Sequence, residues 1–448
     1  MKNNGASMSI SKPLNLSCFA KWNRGKFIEW GDFLPFFILQ LVYWIGILHA
    51  VELPGLYMDA VNPEYLAART LNPEIKNPVF ALPTAFVPIL GNLYHGVQNY
   101  YVGIPVFFLI GLNILALRIA QGLFGAVTVA MVYFIARKAT SQRLAAFVLA
   151  LCLASDIAFI ASFRTQFYII LGGMPWLLLS WYFAATSRRD LSSGNRIVLS
   201  GLFFGLSVYA YFVYLFFLPV FIVSILIGEN KKYVLRRWAL GFSIGISLFV
   251  ALKGIGPGLQ WLNDAISGLA PLSSKLTLLD AANNSMRNLL YALENIANEL
   301  MIFGSAEADY KIKLKIIAIG TITFFALMIS VHTTRTGTSE FVVSQSNFVW
   351  LPFSYFFIAI LLGNRLWVHH FAVFVPLVYL TASGVIAQGH AWRWQWVKKA
   401  VEIALMIGAA LYIAGNFVQQ RQFFQRLEHT GGVGKMSSAI NLLAAEAR

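Results

Sequence analysis

The fold class this sequence predicts is an all-α polytopic membrane protein, and three observations predict it. The chain is 58% hydrophobic and only 12% charged, whereas a soluble domain carries about 25% charged residues. Its apolar residues gather into repeated runs of about the 20 residues a bilayer needs. Its Lys and Arg excess, 34 against 19 acids for a net charge of +15, falls mostly in short loops between those runs. That is where the positive-inside rule places it, so the basic balance points to membrane topology rather than to a nucleic-acid partner. Cys18 lies in the amino-terminal tail and Cys152 inside an apolar run, so neither a disulfide framework nor a metal knuckle is available.

Residues 1–32 are basic through Lys2, Lys12, Lys21, Arg24 and Lys26, and the apolar run that follows is span-length rather than a short signal-peptide core. They are expected to be a cytoplasmic tail. A transmembrane module is expected over 33–253. Its first span is 33–51, and a long outer loop over 52–113 follows. Within that loop, 79–90 and 101–113 are apolar but short and contain proline, which suits helices lying along the membrane surface. Further spans are expected at 114–136, 144–162, 166–186, 197–211, 213–228 and 238–253. Arg137/Lys138/Arg143, Arg188/Arg189/Arg196 and Lys231/Lys232/Arg236/Arg237 occupy the inner loops. A second outer segment, 254–312, should supply surface helices. Spans at 313–331, 348–363, 371–387 and 400–417 bring the total to about 11, with 418–448 as a terminal tail.

Two acids, Asp59 and Glu64, stand in the first outer loop within LYMDAVNPEY. Ionisable residues beside a span in so apolar a chain are expected to serve chemistry, although Asp59 also suits an N-cap and Glu64 a first helical turn. Asp156 sits near the outer end of a span, where a carboxylate needs a wet cavity or a cation. Arg164, eight residues on, is that cation if the helix continues.

The motifs MDAVNPEY at 58–65, Arg118 to Gly125 (RIAQGLFG), Ser155-Asp156 through Arg164, and NRLWVHHFAVFVPLVYLTASG at 364–384 follow one another in a recognisable order. In that order, and in their placement relative to the spans, the chain resembles the glycosyltransferase-C superfamily. The resemblance is nearest to the branch of bacterial aminoarabinose transferases and protein O-mannosyltransferases. It implies transfer of a sugar from a polyprenyl-phosphate carrier to an acceptor at the outer face of a bacterial inner membrane, with inversion and with Asp59 as general base, in an Asp-x-x-x-x-x-Tyr motif ending at Tyr65. The chain departs from the Asp-Glu form of the motif, since Ala60 follows Asp59. One base still suffices for a direct displacement.

An acceptor hydroxyl has a pKa far above neutrality, so a carboxylate must take its proton as the glycosidic bond forms. The leaving group is a lipid phosphate, which Arg365, His369 and His370 are placed to meet at the outer start of a span. Trp367 beside them suits an interfacial anchor equally. Lys253 and His95 are further candidates in the same layer. The acceptor is a glycan, a lipid or a protein. Asp59, Glu64, Asp156, His95, His369 and His370 are hard ligands compatible with a divalent ion, yet no HExxH motif identifies a metal site. The rival readings are a transporter or flippase of lipid-linked sugars, for which internal repeats and broken mid-membrane helices would be expected, and an O-antigen-type polymerase or ligase.

Overall fold

The computed structural model describes residues 30–56, 67–68, 70–72, 95–187, 194–227, 230–254, 277–306, 342–363, 366–389 and 395–438. Among them the chain is helical, with no extended strand beyond a single bridge at Gly96. In order it forms α1 (Phe33–Leu48), α2 (Gln98–Ile110), α3 (Ile114–Thr140), α4 (Arg143–Ala154), α5 (Ile157–Ser162), α6 (Phe167–Leu171), α7 (Met174–Ser187) and α8 (Gly194–Ala210). Then follow α9 (Leu218–Ile227), α10 (Lys231–Gly254), α11 (Leu278–Leu293), α12 (Ile296–Phe303), α13 (Val342–Leu362), α14 (Phe374–Gly389) and α15 (Gln395–Thr430).

Helix α1 shows how the sequence divides protein from lipid. Phe33, Phe37, Leu41 and Ile45 recur every fourth residue and are exposed, while Leu39, Tyr43, Gly46 and Ile47 on the other face are buried. A strip of large exposed apolar side chains is costly in water and natural against acyl chains. Helices α10 (Leu240, Ile244) and α15 (Ile403, Ile407, Leu411) carry similar strips. Helix α3, 27 residues long and so about 40 Å, is central and packs against α1, α2, α4, α7 and α14. Asn113 starts it by accepting from the Ala116 N–H at 2.8 Å. On its buried face Gly122 and Gly125 make room for Trp44 and Tyr43 of α1, and the Tyr43 hydroxyl donates to the Gly122 carbonyl at 2.9 Å.

Helices α8 and α10 approach through small residues. A Cβ at Gly201 or Gly205 would meet the backbone of α10, and one at Gly241 or Gly245 the backbone of α8. Each helix thus contributes a Gly-x-x-x-Gly face, the device by which membrane helices gain close van der Waals contact. At one end of the bundle Asp32, 2% exposed, accepts from the Tyr133 hydroxyl at 2.8 Å and from Arg143 Nε at 3.0 Å. Asp32 thereby ties the start of α1 to the end of α3 and the start of α4.

Among the described residues two stretches, Ile114–Thr140 and Phe167–Ala184, are long and apolar enough to cross a membrane. Phe33–Leu48, Arg143–Ala154, Phe212–Leu226, Trp350–Leu362 and Val368–Gly384 are shorter apolar helices. The count of about 11 spans is therefore reduced to a coarser statement, an all-helical bundle. The expected span 313–331 lies outside the described residues. The expected span 144–162 breaks at Ser155–Asp156, where α4 ends and α5 begins. The expected span 213–228 opens as a 3-10 turn, Phe212–Phe217. Helix α2, at 13 residues about 20 Å long, is too short to cross, as expected of the loop's second half.

Thr277 and Asp280 form a reciprocal capping box at the start of α11. The Thr277 hydroxyl and N–H hold the Asp280 carboxyl below its usual range. Helix α11 packs on the 3-10 turn Val368–Val373. Helix α15 does not stop near residue 417 but continues to Thr430, and the chain then packs against the segment that follows α1, where Gly55 N–H donates to the Met436 carbonyl at 2.9 Å.

Candidate active site

The site is built where α1 ends. A helix leaves its last carbonyls without partners, and here they are met by a guanidinium from a distant segment. Arg164, 1% exposed, donates to the carbonyls of Ile47 at 3.0 Å, Ala50 at 2.9 Å and Leu53 at 2.5 Å, and also to those of Gly46 and His49. Arg118, equally buried, donates to the carbonyls of Val51 at 3.3 Å and Pro54 at 3.1 Å. Two arginines thus hold residues 46–54, the beginning of the loop that carries Asp59. The planar, five-donor guanidinium suits several carbonyls at once.

Arg164 reaches this position because α5 ends at Ser162 and the chain turns through 163–166 before α6. The expected pairing of Arg164 with Asp156 along one continuous helix is not the geometry found. The next residue, Thr165, donates to Asn298 Oδ1 of α12 at 2.8 Å. Gln166 Nε2 lies 3.4 Å from His369 Nδ1. Three consecutive polar side chains therefore bind the end of α1 and the segment after it, α12, and the 3-10 turn Val368–Val373 that precedes α14.

Around His369 the structure collects an aromatic, hydrogen-bonding cluster. The His369 and His370 rings lie 4.2 Å apart, and Phe167 lies 5.9 Å from His369. His370 Nε2 is 3.3 Å from the Tyr211 hydroxyl. Its Nδ1 faces the Trp367 N–H at 2.9 Å and the Trp367 carbonyl at 3.1 Å. Tyr211 stacks on His95 with centroids 6.0 Å apart at 16°. His95 is placed by the bridge at Gly96, whose N–H donates to the Tyr209 carbonyl at 2.7 Å. His370 and His95 are buried, whereas His369 is half-buried. Imidazoles, an amide and a phenol provide donors that can turn toward an anion without bringing a full charge into the bilayer.

Asp156 occupies a second buried centre. It caps α5 by accepting from the Ala158 N–H at 2.9 Å and takes hydrogen bonds from the Tyr379 hydroxyl at 2.5 Å and the Tyr412 hydroxyl at 3.4 Å. One and two turns along α15 from Tyr412, Asn416 donates to the Cys152 carbonyl at 3.1 Å and Gln420 to the Ser155 carbonyl at 2.6 Å. The carbonyls left open at the α4–α5 break are thus met by a polar stripe on α15.

With this geometry in hand, known proteins give a consistent answer. Residues 100–254 match the family model of dolichyl-phosphate-mannose-protein mannosyltransferases. The oligosaccharyltransferase of Archaeoglobus fulgidus in its apo form superposes with a TM-score of 0.52 at 13% identity, over 88% of this chain and 56% of its own. Over 100–254 the chain is thus similar to a mannosyltransferase family, and its helical fold is like that of the oligosaccharyltransferase. ArnT from Cupriavidus metallidurans, solved bound to undecaprenyl phosphate, gives a TM-score of 0.48 at 14% identity over 84% of this chain and 63% of that one. AglB from Archaeoglobus fulgidus, in complex with an inhibitory peptide and a dolichol-phosphate, gives 0.46 at 14% identity over 88% and 56%. The chain therefore spans less than two thirds of the length of these glycosyltransferase-C structures. No curated protein sequence matches it.

Of the residues singled out in the sequence, Asp59, Glu64, Tyr65 and Arg365 lie outside the described residues. His95, His369 and His370 come together around Tyr211, and Arg164 joins them through Gln166. Asp156 sits apart with Tyr379 and Tyr412, and Lys253 lies in the last turn of α10. Tyr211, Gln166, Asn298 and the loop-holding role of Arg118 were not singled out. The uninterrupted polar triplet Arg164-Thr165-Gln166 between two apolar runs was the one available signal. Among the described residues no three His, Cys, Asp or Glu side chains gather so as to hold a metal ion.

Proposed function

We propose that this glycosyltransferase-C protein transfers a sugar from a polyprenyl-phosphate carrier to an acceptor hydroxyl at the outer face of a bacterial plasma membrane, with inversion. The Asp59 carboxylate takes the acceptor proton as the acceptor oxygen bonds to the anomeric carbon. The bond from that carbon to the phosphate oxygen breaks, and polyprenyl phosphate leaves with the electron pair. A single carboxylate is what direct displacement requires, so Ala60 in place of a second acid is no obstacle. Arg365, His369 and His370 face the departing phosphate, where donors matter most as charge develops. Glu64 and Tyr65 are assigned to the acceptor side.

The observation that carries this reading is the turn 163–166. It holds the Leu53 carbonyl, six residues before Asp59, through Arg164 and His369 through Gln166, and this supports a base on the one segment and leaving-group contacts on the other. The family match over 100–254, whose described members use a dolichyl-phosphate sugar, supports the donor class. Asp59→Asn is expected to lower transfer by about 10²- to 10⁴-fold with donor binding intact, measured with purified protein and a lipid-linked donor. Retained turnover would overturn the general-base assignment. Mass spectrometry of envelope glycolipids and glycans from a deletion strain identifies the acceptor.

A further inference from the structure

The root of the Asp59 loop is held more tightly than a structural helix end requires. Five carbonyls between Gly46 and Leu53 accept from one buried side chain, Arg164. One of them belongs to Ala50, whose φ of 44° lies in the left-handed region that a Cβ disfavours by about 1–2 kcal/mol. A non-glycine residue persists there only where its surroundings over-determine it, a state found chiefly at functional sites. Pro54, the last carbonyl held by Arg118, is so close in sequence to Asp59 that the carboxylate is leashed to within about 17 Å of it along the chain.

We propose that Arg164 is a positioning residue: its guanidinium fixes residues 46–53, the chain that leads into the Asp59 segment, on the same turn that holds His369 through Gln166. The proposal rests on the functional reading above and deepens it. The Arg164 guanidinium has backbone carbonyls and the Phe424 ring as its partners. It acts through backbone carbonyls, so altering it displaces the base without removing it. Thr165, bonded to Asn298, fixes the turn itself against the second outer segment, so the two sides cannot shift independently.

Arg164→Met, Arg164→Lys and Gln166→Leu separate positioning from mere support of the fold. A displacement of about 1 Å at a reacting group costs about 10²-fold in rate, so kcat of Arg164→Met should fall by that order. Lysine keeps a charged donor on the same carbonyls and should recover about tenfold of this loss, with KM for the donor within about threefold of wild type in each case. Gln166→Leu leaves the buried guanidinium in place and should keep the wild-type Tm while kcat falls several-fold. A folded Arg164→Lys with wild-type kcat overturns the proposal, as does one whose donor KM rises at unchanged kcat. If neither Arg164 variant folds, Gln166→Leu decides, and unchanged kcat there overturns it. Asp59→Asn assayed in parallel keeps the two readings distinct, because activity in that variant removes the general base whatever the Arg164 series returns.

Discussion

Tyr211→Phe is the sharpest probe of the histidine cluster, because it deletes one oxygen and leaves the ring. The phenylalanine ring retains the stack on His95 and the neighbouring contact with Phe212, 5.3 Å away, so the packing and the position of the 95–97 segment should survive. What goes is the hydroxyl 3.3 Å from His370 Nε2. That separation is at the long end for such a bond, which places its net worth in the lower half of about 0.5–1.5 kcal/mol. If His370 must be oriented to meet the donor phosphate, kcat/KM for the lipid-linked donor should fall by about two- to fivefold with no change in Tm. The assay is initial-rate transfer at varied donor concentration, repeated in a His370→Ala background. With the imidazole gone, Tyr211→Phe should cost nothing further, since the partner it orients is absent. Wild-type kcat/KM in the single variant, or an equal loss in both backgrounds, would refute the coupling.

Two further outcomes test the architecture that supports the site. Asp156→Ala leaves the Ala158 N–H buried without the carboxylate that caps it, at about 1–3 kcal/mol, while the Tyr379 hydroxyl keeps the Tyr412 hydroxyl at 2.9 Å. Thermal unfolding in detergent should show a clearly lowered Tm, with Asp156→Asn intermediate because its amide oxygen can still cap α5. A wild-type Tm with lost donor or acceptor affinity would instead assign this carboxylate to substrate. Gly241→Leu drives a side chain into the Val198 carbonyl of α8 and should cost at least about 1–3 kcal/mol, read as a lower Tm; an unchanged Tm would contradict the close α8–α10 contact.

Much of the bundle was legible because apolar length and charge placement are local properties. The run Phe33–Leu48 is span-like whatever surrounds it, and Arg137 and Arg143 mark a basic end wherever α3 and α4 go. The Arg118–Gly125 pattern carried the family resemblance, and the match over 100–254 covers it. The breaks were less legible. Nothing in the composition of 144–162 announces that α4 stops at Ala154, because the open carbonyls there are met by Asn416 and Gln420, more than 250 residues away in sequence.

Composition, apolar run length and charge placement are enough to read a membrane-embedded helical bundle, and short motifs carry the resemblance to the glycosyltransferase-C superfamily. Those conclusions rest on periodicity, charge asymmetry and short motifs, all confined to neighbours along the chain. Only the tertiary structure decided what each polar group does. Arg164 meets the carbonyls at the end of α1 rather than lying on one helix with Asp156, and Asp156 is taken up by tyrosines of α14 and α15. His95, far from His369 and His370 in the chain, joins them across the ring of Tyr211. A buried polar group takes whichever partner folding brings within about 3 Å, and for Arg118, Arg164, Asp156 and Gln420 that partner comes from segments between 64 and 265 residues away.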